Sequence, residues 1–225
     1  MSDFSARAES YEQESAWILN RSFIEPLVPA PFGNGKMLDV CAGTGVIAEY
    51  AAANGWNVTA LDNNLDIIRY ISDNITVICG DANHLPLDDN MYDLVVCRQG
   101  LQYLDLRLAI SEMLRVSNHE VRLLHGFVYR EDIQSWKKLF QLLNKNNRDF
   151  FDEIEIYNAI VSCYPAKIEN DYIYSIEKIH KMPNNNDLIN RFLQENPKFV
   201  EHYFICDHGK YITYKLRWII NSIIK

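Results

Sequence analysis

No stretch of this 225-residue chain approaches the about eighteen uninterrupted apolar residues that a membrane-spanning helix needs, which excludes that class of helical membrane protein. The first ten residues, "MSDFSARAES", lack the apolar centre of a secretory signal, so a cytoplasmic, soluble protein with no membrane partner is expected. An excess of positive charge is also missing. Thirty Asp and Glu face 22 Lys and Arg, for a formal net charge of -8. Phosphate backbones are held mainly by Lys and Arg, so no nucleic-acid partner is expected, and the pair Lys137 and Lys138 reads as a solvated helix face. The five cysteines, Cys41, Cys79, Cys97, Cys163 and Cys206, are odd in number, form no C-x-x-C pair and have no zinc spacing. Three of them stand in or beside apolar runs, as reduced core thiols do, and no metal site is expected. Internal repeats are absent too.

What is present is apolar content for a core, 48% of the residues, in a chain long enough for one α/β domain over residues 1–225 and short for two. Residues 1–30 read as a polar and aromatic helical appendage closed by Pro26, Pro29 and Pro31. From residue 37 to 129 short apolar runs alternate with helical patterns: "MLDV", "NVTAL", "TVICG", "DLVVC" and "VRLLHGFVY" predict strands. "GVIAEYAAA", "LDIIRYIS" and "DLRLAISEMLRV" predict helices, the last with Leu106, Ile110, Met113 and Leu114 on one face. Strict alternation, with strands apolar on both faces, predicts a doubly wound, mostly parallel sheet. Residues 130–225 break the rhythm. "DIQSWKKLFQLLNK" and "LINRFLQEN" predict helices, and "KIENDYIYSIEKI" a strand. "KFVEHYFIC" and "KYITYKLRWII", joined at "DHG", predict a hairpin at an antiparallel edge of the sheet.

The stretch "LDVCAGTGVIAEY", residues 38–50, joins a strand ending on a carboxylate to a small-residue loop and a helix. Ligands of open α/β sheets sit at such a turn, where Gly43 and Gly45 let a ligand approach the backbone and the helix offers unpaired N–H groups. "GTGVIA" fits the dinucleotide pattern G-x-G-x-x-G/A, with Asp62 about twenty residues on for ribose hydroxyls. A tight turn with no ligand has the same signature.

Four stations in order resolve the choice by resemblance. "LDVCAGTG", "TALDNN", "GDANHLPLDDNMYDLVVCRQGLQYL" and "ISEMLRVSN" resemble the motifs of class I S-adenosylmethionine-dependent methyltransferases, of the small-molecule group with the ubiquinone, menaquinone and biotin-pathway enzymes. The resemblance implies a Rossmann-like sheet with antiparallel C-terminal strands and an N-terminal helical lid. It implies S-adenosyl-L-methionine as cofactor and transfer of its methyl group to an oxygen or nitrogen of a small-molecule acceptor, in a biosynthetic setting. Asp39 would reach the methionine amino group, Gly43 and Gly45 would make room for the methionine and ribose, and Asp62, with Asn63 beside it, would accept from the ribose hydroxyls. Asp81 would accept from the adenine amino group with the Ala82 backbone at the ring edge, and His84 would shape that loop. Arg98 would lie beside the sulfonium and the substrate, Gln102 and Tyr103 would line the acceptor pocket, and Tyr11 would belong to the lid. Two departures stand out: Cys41 replaces the first glycine of the usual G-x-G-x-G, and "SNHEV" replaces a Pro-Gly-Gly turn before the fifth strand.

Each residue also has a plainer use. Asp62 suits a helix cap, Asp81 a surface turn, Asp39 a structural bond at the loop base, Arg98 a salt bridge and Tyr11 packing. Methyl transfer is an in-line displacement that needs alignment and exclusion of water, with a base only when the nucleophile keeps its proton. His125 is the candidate base, near the end of the fifth strand, although a strand histidine also serves as core. Strand four ends "CRQG" without the [DN]-P-P-[YFW] signature of enzymes that methylate nucleic-acid bases, which favours a small molecule. The aromatic residues of 150–174 are candidates for its pocket. The rival readings are a non-catalytic cofactor-binding module and a nicotinamide-dependent oxidoreductase.

Overall fold

A computed structural model of the chain describes residues 19–68, 70–142, 150–165, 167–173, 180–183, 187–207, 211–214 and 217–225. Its strands are β1 (Lys36–Val40), β2 (Asn57–Asp62), β3 (Thr76–Cys79), β4 (Tyr92–Arg98), β5 (Ser117–Phe127), β6 (Lys167–Ile173), β7 (His180–Pro183), β8 (Phe204–Asp207), β9 (Tyr211–Tyr214) and β10 (Arg217–Ile224). The helices are α1 (Arg21–Ile24), α2 (Val46–Ala53), α3 (Leu65–Ile68), α4 (Leu106–Val116), α5 (Ile133–Leu142), α6 (Glu153–Cys163), α7 (Asp187–Glu195) and α8 (Pro197–Tyr203).

Seven strands form one sheet in the order β3-β2-β1-β4-β5-β10-β6. The first five are parallel to their neighbours, whereas β10 runs antiparallel to both β5 and β6. The doubly wound, mostly parallel fold with antiparallel C-terminal strands is therefore present. Both faces are covered, which is why β4 is buried almost end to end. Alternate residues point opposite ways, so Leu94 and Val96 join Phe23, Ile47, Trp136 and Trp218 on one face. Val95 and Cys97 join Ile110, Met113, Ile156 and Ile160 on the other. The chain leaves β1 towards β2 and β3 on one side and returns to β4 and β5 on the other, and this reversal opens a crevice at the carboxyl ends of β1 and β4.

The helix over Leu106–Val116 forms as its pattern predicts: the Asp105 side chain accepts from the amides of Arg107 and Leu108, and Ala109, Ile110, Met113 and Leu114 are buried. Other expectations need correction. β5 starts at Ser117, directly after α4, so "SNHEV" lies inside the strand and no loop separates the two elements. The segment "KFVEHYFIC" begins as helix α8, with Pro197 at its first position where a missing N–H is harmless, and only Phe204–Asp207 is strand. β8 and β9 pair antiparallel, with the expected "DHG" turn residues 208–210 outside the described residues. They belong to a separate three-stranded sheet with β7, and the antiparallel edge of the main sheet is built by β10 and β6. The pattern "LDIIRYIS" yields only the four residues of α3.

Residues 1–18 of the expected lid, Tyr11 among them, lie outside the described residues. In the remainder of that segment Phe23, Ile24, Leu27 and Val28 belong to the core. Phe23 and Leu27 are fully buried, and the Phe23 ring meets Trp218 edge-on at 5.0 Å between centroids. The apolar side chains there found a sheet face to cover. In the segment after residue 150, Phe150 stacks on Trp136 and α6 buries Ile156, Ala159 and Ile160 against α4, whereas Tyr157 is exposed. Among the described residues no helix is long and apolar enough to cross a membrane.

Candidate functional site

The crevice floor is the end of β1. Asp39 is 1% exposed, its Oδ2 has no hydrogen-bond partner among the described residues, and burial lifts its pKa to about 7. The Arg98 charge and the Ala48 backbone amide pull that pKa back down, and Asp62 adds a smaller upward push. A carboxyl group buried with one oxygen unmatched is a costly arrangement for the chain by itself.

Above it the loop turns through three left-handed residues, Cys41, Gly43 and Gly45, at φ of 57°, 57° and 85°. The two glycines do different work. A Cβ on Gly43 would find nothing nearer than Ile67 Cγ2 at 4.0 Å, so the space over it is open to a ligand. A Cβ on Gly45 would lie 2.6 Å from Ile71 Cγ1, so this glycine makes room for a side chain of the protein. Asp62, at the end of β2, latches the loop: Oδ2 accepts from the Gly43 amide at 2.9 Å, Oδ1 accepts from the Asn64 amide at 3.0 Å, and the Asn63 amide adds a third bond. Burial still raises the Asp62 pKa, with those amides opposing.

Cys41 keeps the left-handed backbone that a glycine would adopt more easily. The hydrogen bond with the neighbouring Cys97 thiol, and then burial, push its pKa well up, which keeps the sulfur protonated. Both sulfurs crowd Gly100, whose Cβ would stand 2.7 Å from Cys41 Sγ and 2.8 Å from Cys97 Sγ. Gly100 has φ of -90°, open to any residue, so the obstacle to a side chain there is purely steric. Gly100→Ala is expected to cost about 1–3 kcal/mol by overpacking. Adding Cys41→Gly removes two of the three closest atoms and should recover at least about 0.5 kcal/mol of it, read as the coupling in a double-mutant cycle of urea denaturation.

At the end of β4, Arg98 is half-buried, and Gln99 adopts φ of 60° with its amide bonded to Leu124 O at 2.8 Å. Gln102 Nε2 donates to Gln99 Oε1 at 3.2 Å and Tyr103 is exposed, so these residues border the crevice on the β4 side. The Gly80–Asn90 connection carries the third station. Asp81 is exposed and closes a turn, Oδ1 accepting from the amide and the side chain of Asn83 at 2.9 and 3.0 Å. Its Oδ2 has the exposed His84 ring 3.9 Å away, and Ala82 is buried beneath.

His125 does not reach the crevice. It is 2% exposed, sealed between β5 and β10, with Nε2 donating to Asn221 Oδ1 at 2.8 Å and Nδ1 without a partner. Burial lowers its pKa to about 4. A ring so placed meets no substrate and holds a proton too weakly to serve as base near neutral pH, so the candidate base becomes a core histidine. The sequence could not reveal this, because Asn221 arrives from 96 residues away. The described residues hold no cluster of three or more His, Cys, Asp or Glu able to bind a metal, and Cys41, Cys79, Cys97 and Cys163 are free thiols.

With this geometry in place, residues 38–124 match the family model described as "Methyltransferase domain". Among curated proteins, the chain is similar to the demethylmenaquinone methyltransferase of Corynebacterium urealyticum, 40% identical over 84 residues, which is 36% of each chain. The demethylmenaquinone methyltransferase of Paenarthrobacter aurescens is 28% identical over 160 residues, 68% of this chain and 58% of that one. The chain thus spans between 36% and 58% of these two relatives. Among solved structures, phosphoethanolamine N-methyltransferase 2 of Haemonchus contortus superposes with a TM-score of 0.66 at 15% identity, over 98% of this chain and 57% of that one. That likeness is one of fold.

Proposed function

From the match of residues 38–124 to the model described as "Methyltransferase domain", we propose that the chain moves a methyl group from S-adenosyl-L-methionine to an oxygen or nitrogen of a small molecule, in a biosynthetic setting. The observation that carries this reading is Asp39 Oδ2, buried at the foot of the glycine loop and unmatched by any donor among the described residues. An amino group of the cofactor's methionine end supplies that donor. The open space over Gly43 admits the same end of the cofactor.

Asp62 spends three of about four lone-pair positions on its own loop amides, which leaves about one for a ribose hydroxyl, with Asn63 exposed beside it. Asp81 Oδ2 takes the adenine amino group while Oδ1 stays in its turn, and the Ala82 backbone meets the ring edge. Arg98 sits between Asp39 and the acceptor side, where Gln102 and Tyr103 form the wall. When bound, the cofactor supplies a methyl group already activated by its sulfonium, so what the protein adds is alignment of the acceptor and exclusion of water.

The names of the two curated relatives support a small-molecule acceptor, and the acidic balance of the chain disfavours nucleic acid. Residues 1–225 act as one domain in this reading, with the cofactor side in 37–129 and the acceptor side in 130–225. Free thiols such as Cys97 suit a cytoplasmic setting, where the medium is reducing.

Calorimetric titration with S-adenosylhomocysteine, and in parallel with NAD and NADP, tests the reading. Binding of S-adenosylhomocysteine with silent nicotinamides is expected. Asp81→Ala should weaken it by roughly tenfold, the worth of one good hydrogen bond. Heat from NAD and none from S-adenosylhomocysteine would assign the loop to a pyrophosphate and remove the proposal.

A further inference from the structure

A second histidine stands where His125 does not. β4 and β5 are parallel, with Arg98 opposite Leu124, so the last residues of β5 and the turn after it rise beyond Arg98 on the same edge of the sheet as the cofactor loop. In that turn Asp132 is 5% exposed. Its Oδ2 lies 2.7 Å from Nδ1 of His202, a residue of α8 that is 70 positions away in sequence. The His202 ring also meets Tyr129 edge-on, with 4.9 Å between centroids. The histidine side chain remains 32% exposed, and its ring is anchored on the Nδ1 side. The carboxylate is the deeper partner, which is the arrangement that fixes a tautomer and orients the ring.

We propose that His202 is the catalytic base of the methyl transfer and Asp132 its positioning residue. This rests on the methyltransferase reading above and adds to it where the acceptor lies. The acceptor is a small molecule bearing an ionisable O–H or N–H, held over the carboxyl end of β5. The acceptor lone pair forms the bond to the methyl carbon, the methyl–sulfur bond breaks with its pair going to sulfur, and the acceptor proton goes to Nε2 of His202. Asp132 keeps Nδ1–H in place and stabilises the imidazolium that results. A plain structural role, tying α8 to the end of β5, would use the same hydrogen bond. The two roles differ in what they predict.

The test uses the full chain, methyl-labelled S-adenosylmethionine and a small-molecule extract of bacterial cells as acceptor pool, with the methylated fraction taken forward as substrate. His202→Gln should lower kcat by 10²–10⁴-fold, with KM within about threefold and the calorimetric affinity for S-adenosylhomocysteine and the melting midpoint unchanged. Asp132→Asn should lower kcat less, by roughly tenfold or more, with the same pattern. Across analogues of the acceptor, the loss in His202→Gln should shrink as the reacting group becomes more acidic, since an acceptor ionised unaided needs no base. Transfer by His202→Gln at the wild-type rate, or a fall that follows the melting midpoint, would overturn the assignment and leave the methyltransferase reading standing. Absence of transfer by a wild type that binds S-adenosylhomocysteine would overturn it too, because a chain that moves no methyl group has no use for a base. Silence towards S-adenosylhomocysteine is the distinct failure of the underlying reading.

Discussion

Asp39→Asn is expected to abolish measurable binding of S-adenosylhomocysteine and, at pH 8, to make the ligand-free protein more stable. The two effects have one cause. Asp39 is buried with Oδ2 unpartnered, and its pKa in the folded chain is about 7 against an ordinary 3.8. Below pH about 4 the residue is protonated folded or unfolded and takes nothing from stability. As pH rises from there to 7, the unfolded chain releases the proton and the folded chain retains it, so stability is lost across that window and stays lost above it. A displacement of this size corresponds to about 4 kcal/mol at its upper bound. Asparagine has no charge to bury but leaves one polar atom unmatched, at about 1–3 kcal/mol. A net gain of roughly 1–2 kcal/mol at pH 8 follows, or about 2–8 °C in a chain of this length, with no gain near pH 4.5. Melting at both pH values and calorimetry with S-adenosylhomocysteine read the two halves separately. A variant that still binds the ligand as the wild type does would show that Asp39 is no ligand anchor. One no more stable at pH 8 would show that its burial is matched by something else.

The second large effect belongs to Arg115, whose guanidinium holds the connection that carries Asp81 and Ala82. Nη1 donates to Leu87 O and Asp89 Oδ1 at 2.8 and 2.7 Å, Nη2 to Leu85 O and Glu112 Oε2 at 3.0 and 2.8 Å, and Nε to Glu112 Oε1 at 2.8 Å. Glu112 Oε2 accepts in turn from the Leu85 amide at 2.8 Å. These charge-assisted bonds push the Arg115 pKa up and the Glu112 pKa down. Arg115→Met should cost about 2–4 kcal/mol in urea denaturation, since it strands two loop carbonyls and a carboxylate. It should also weaken S-adenosylhomocysteine, because the loop hangs from α4 through this side chain. Arg21→Ala is the control. Its pair with Glu25 spans two exposed side chains and is worth under about 0.5 kcal/mol, so equal losses in the two variants would refute the network.

Much of the candidate site is local, and for that reason its loop and its flanking elements were legible. The carboxylate of β1, the small-residue loop and the start of α2 are consecutive in sequence, and the Asp105 cap and apolar spacing announce α4 without help from the rest of the chain. Cys41 was legible as a departure but not in its consequence: it keeps φ at 57°, and its sulfur settles against Cys97 and Gly100. Gly45 and Gly43 look alike in sequence, and only the position of Ile71 tells the crowded one from the open one. The segment "KFVEHYFIC" alternates well enough to pass for a strand, yet Pro197 opens a helix there and Phe199 is drawn under Trp136.

The histidines mark the limit most clearly. His125 stands on a strand near a carboxyl end, where a base belongs, but β10 enters beside β5 and covers it, bringing Asn221 to its ring. His202 stands on a short helix late in the chain, with no motif around it, and is met by Asp132. Sequence by itself determined the alternation that builds the parallel sheet, the order of its loops and the residues at the cofactor turn, because propensity, capping and periodicity act over a few neighbouring residues. Tertiary structure alone decided which strand lies next to β5, which glycine faces open space and which histidine is buried, because burial and the partner of a polar group depend on segments 70 to 96 residues apart being folded against one another.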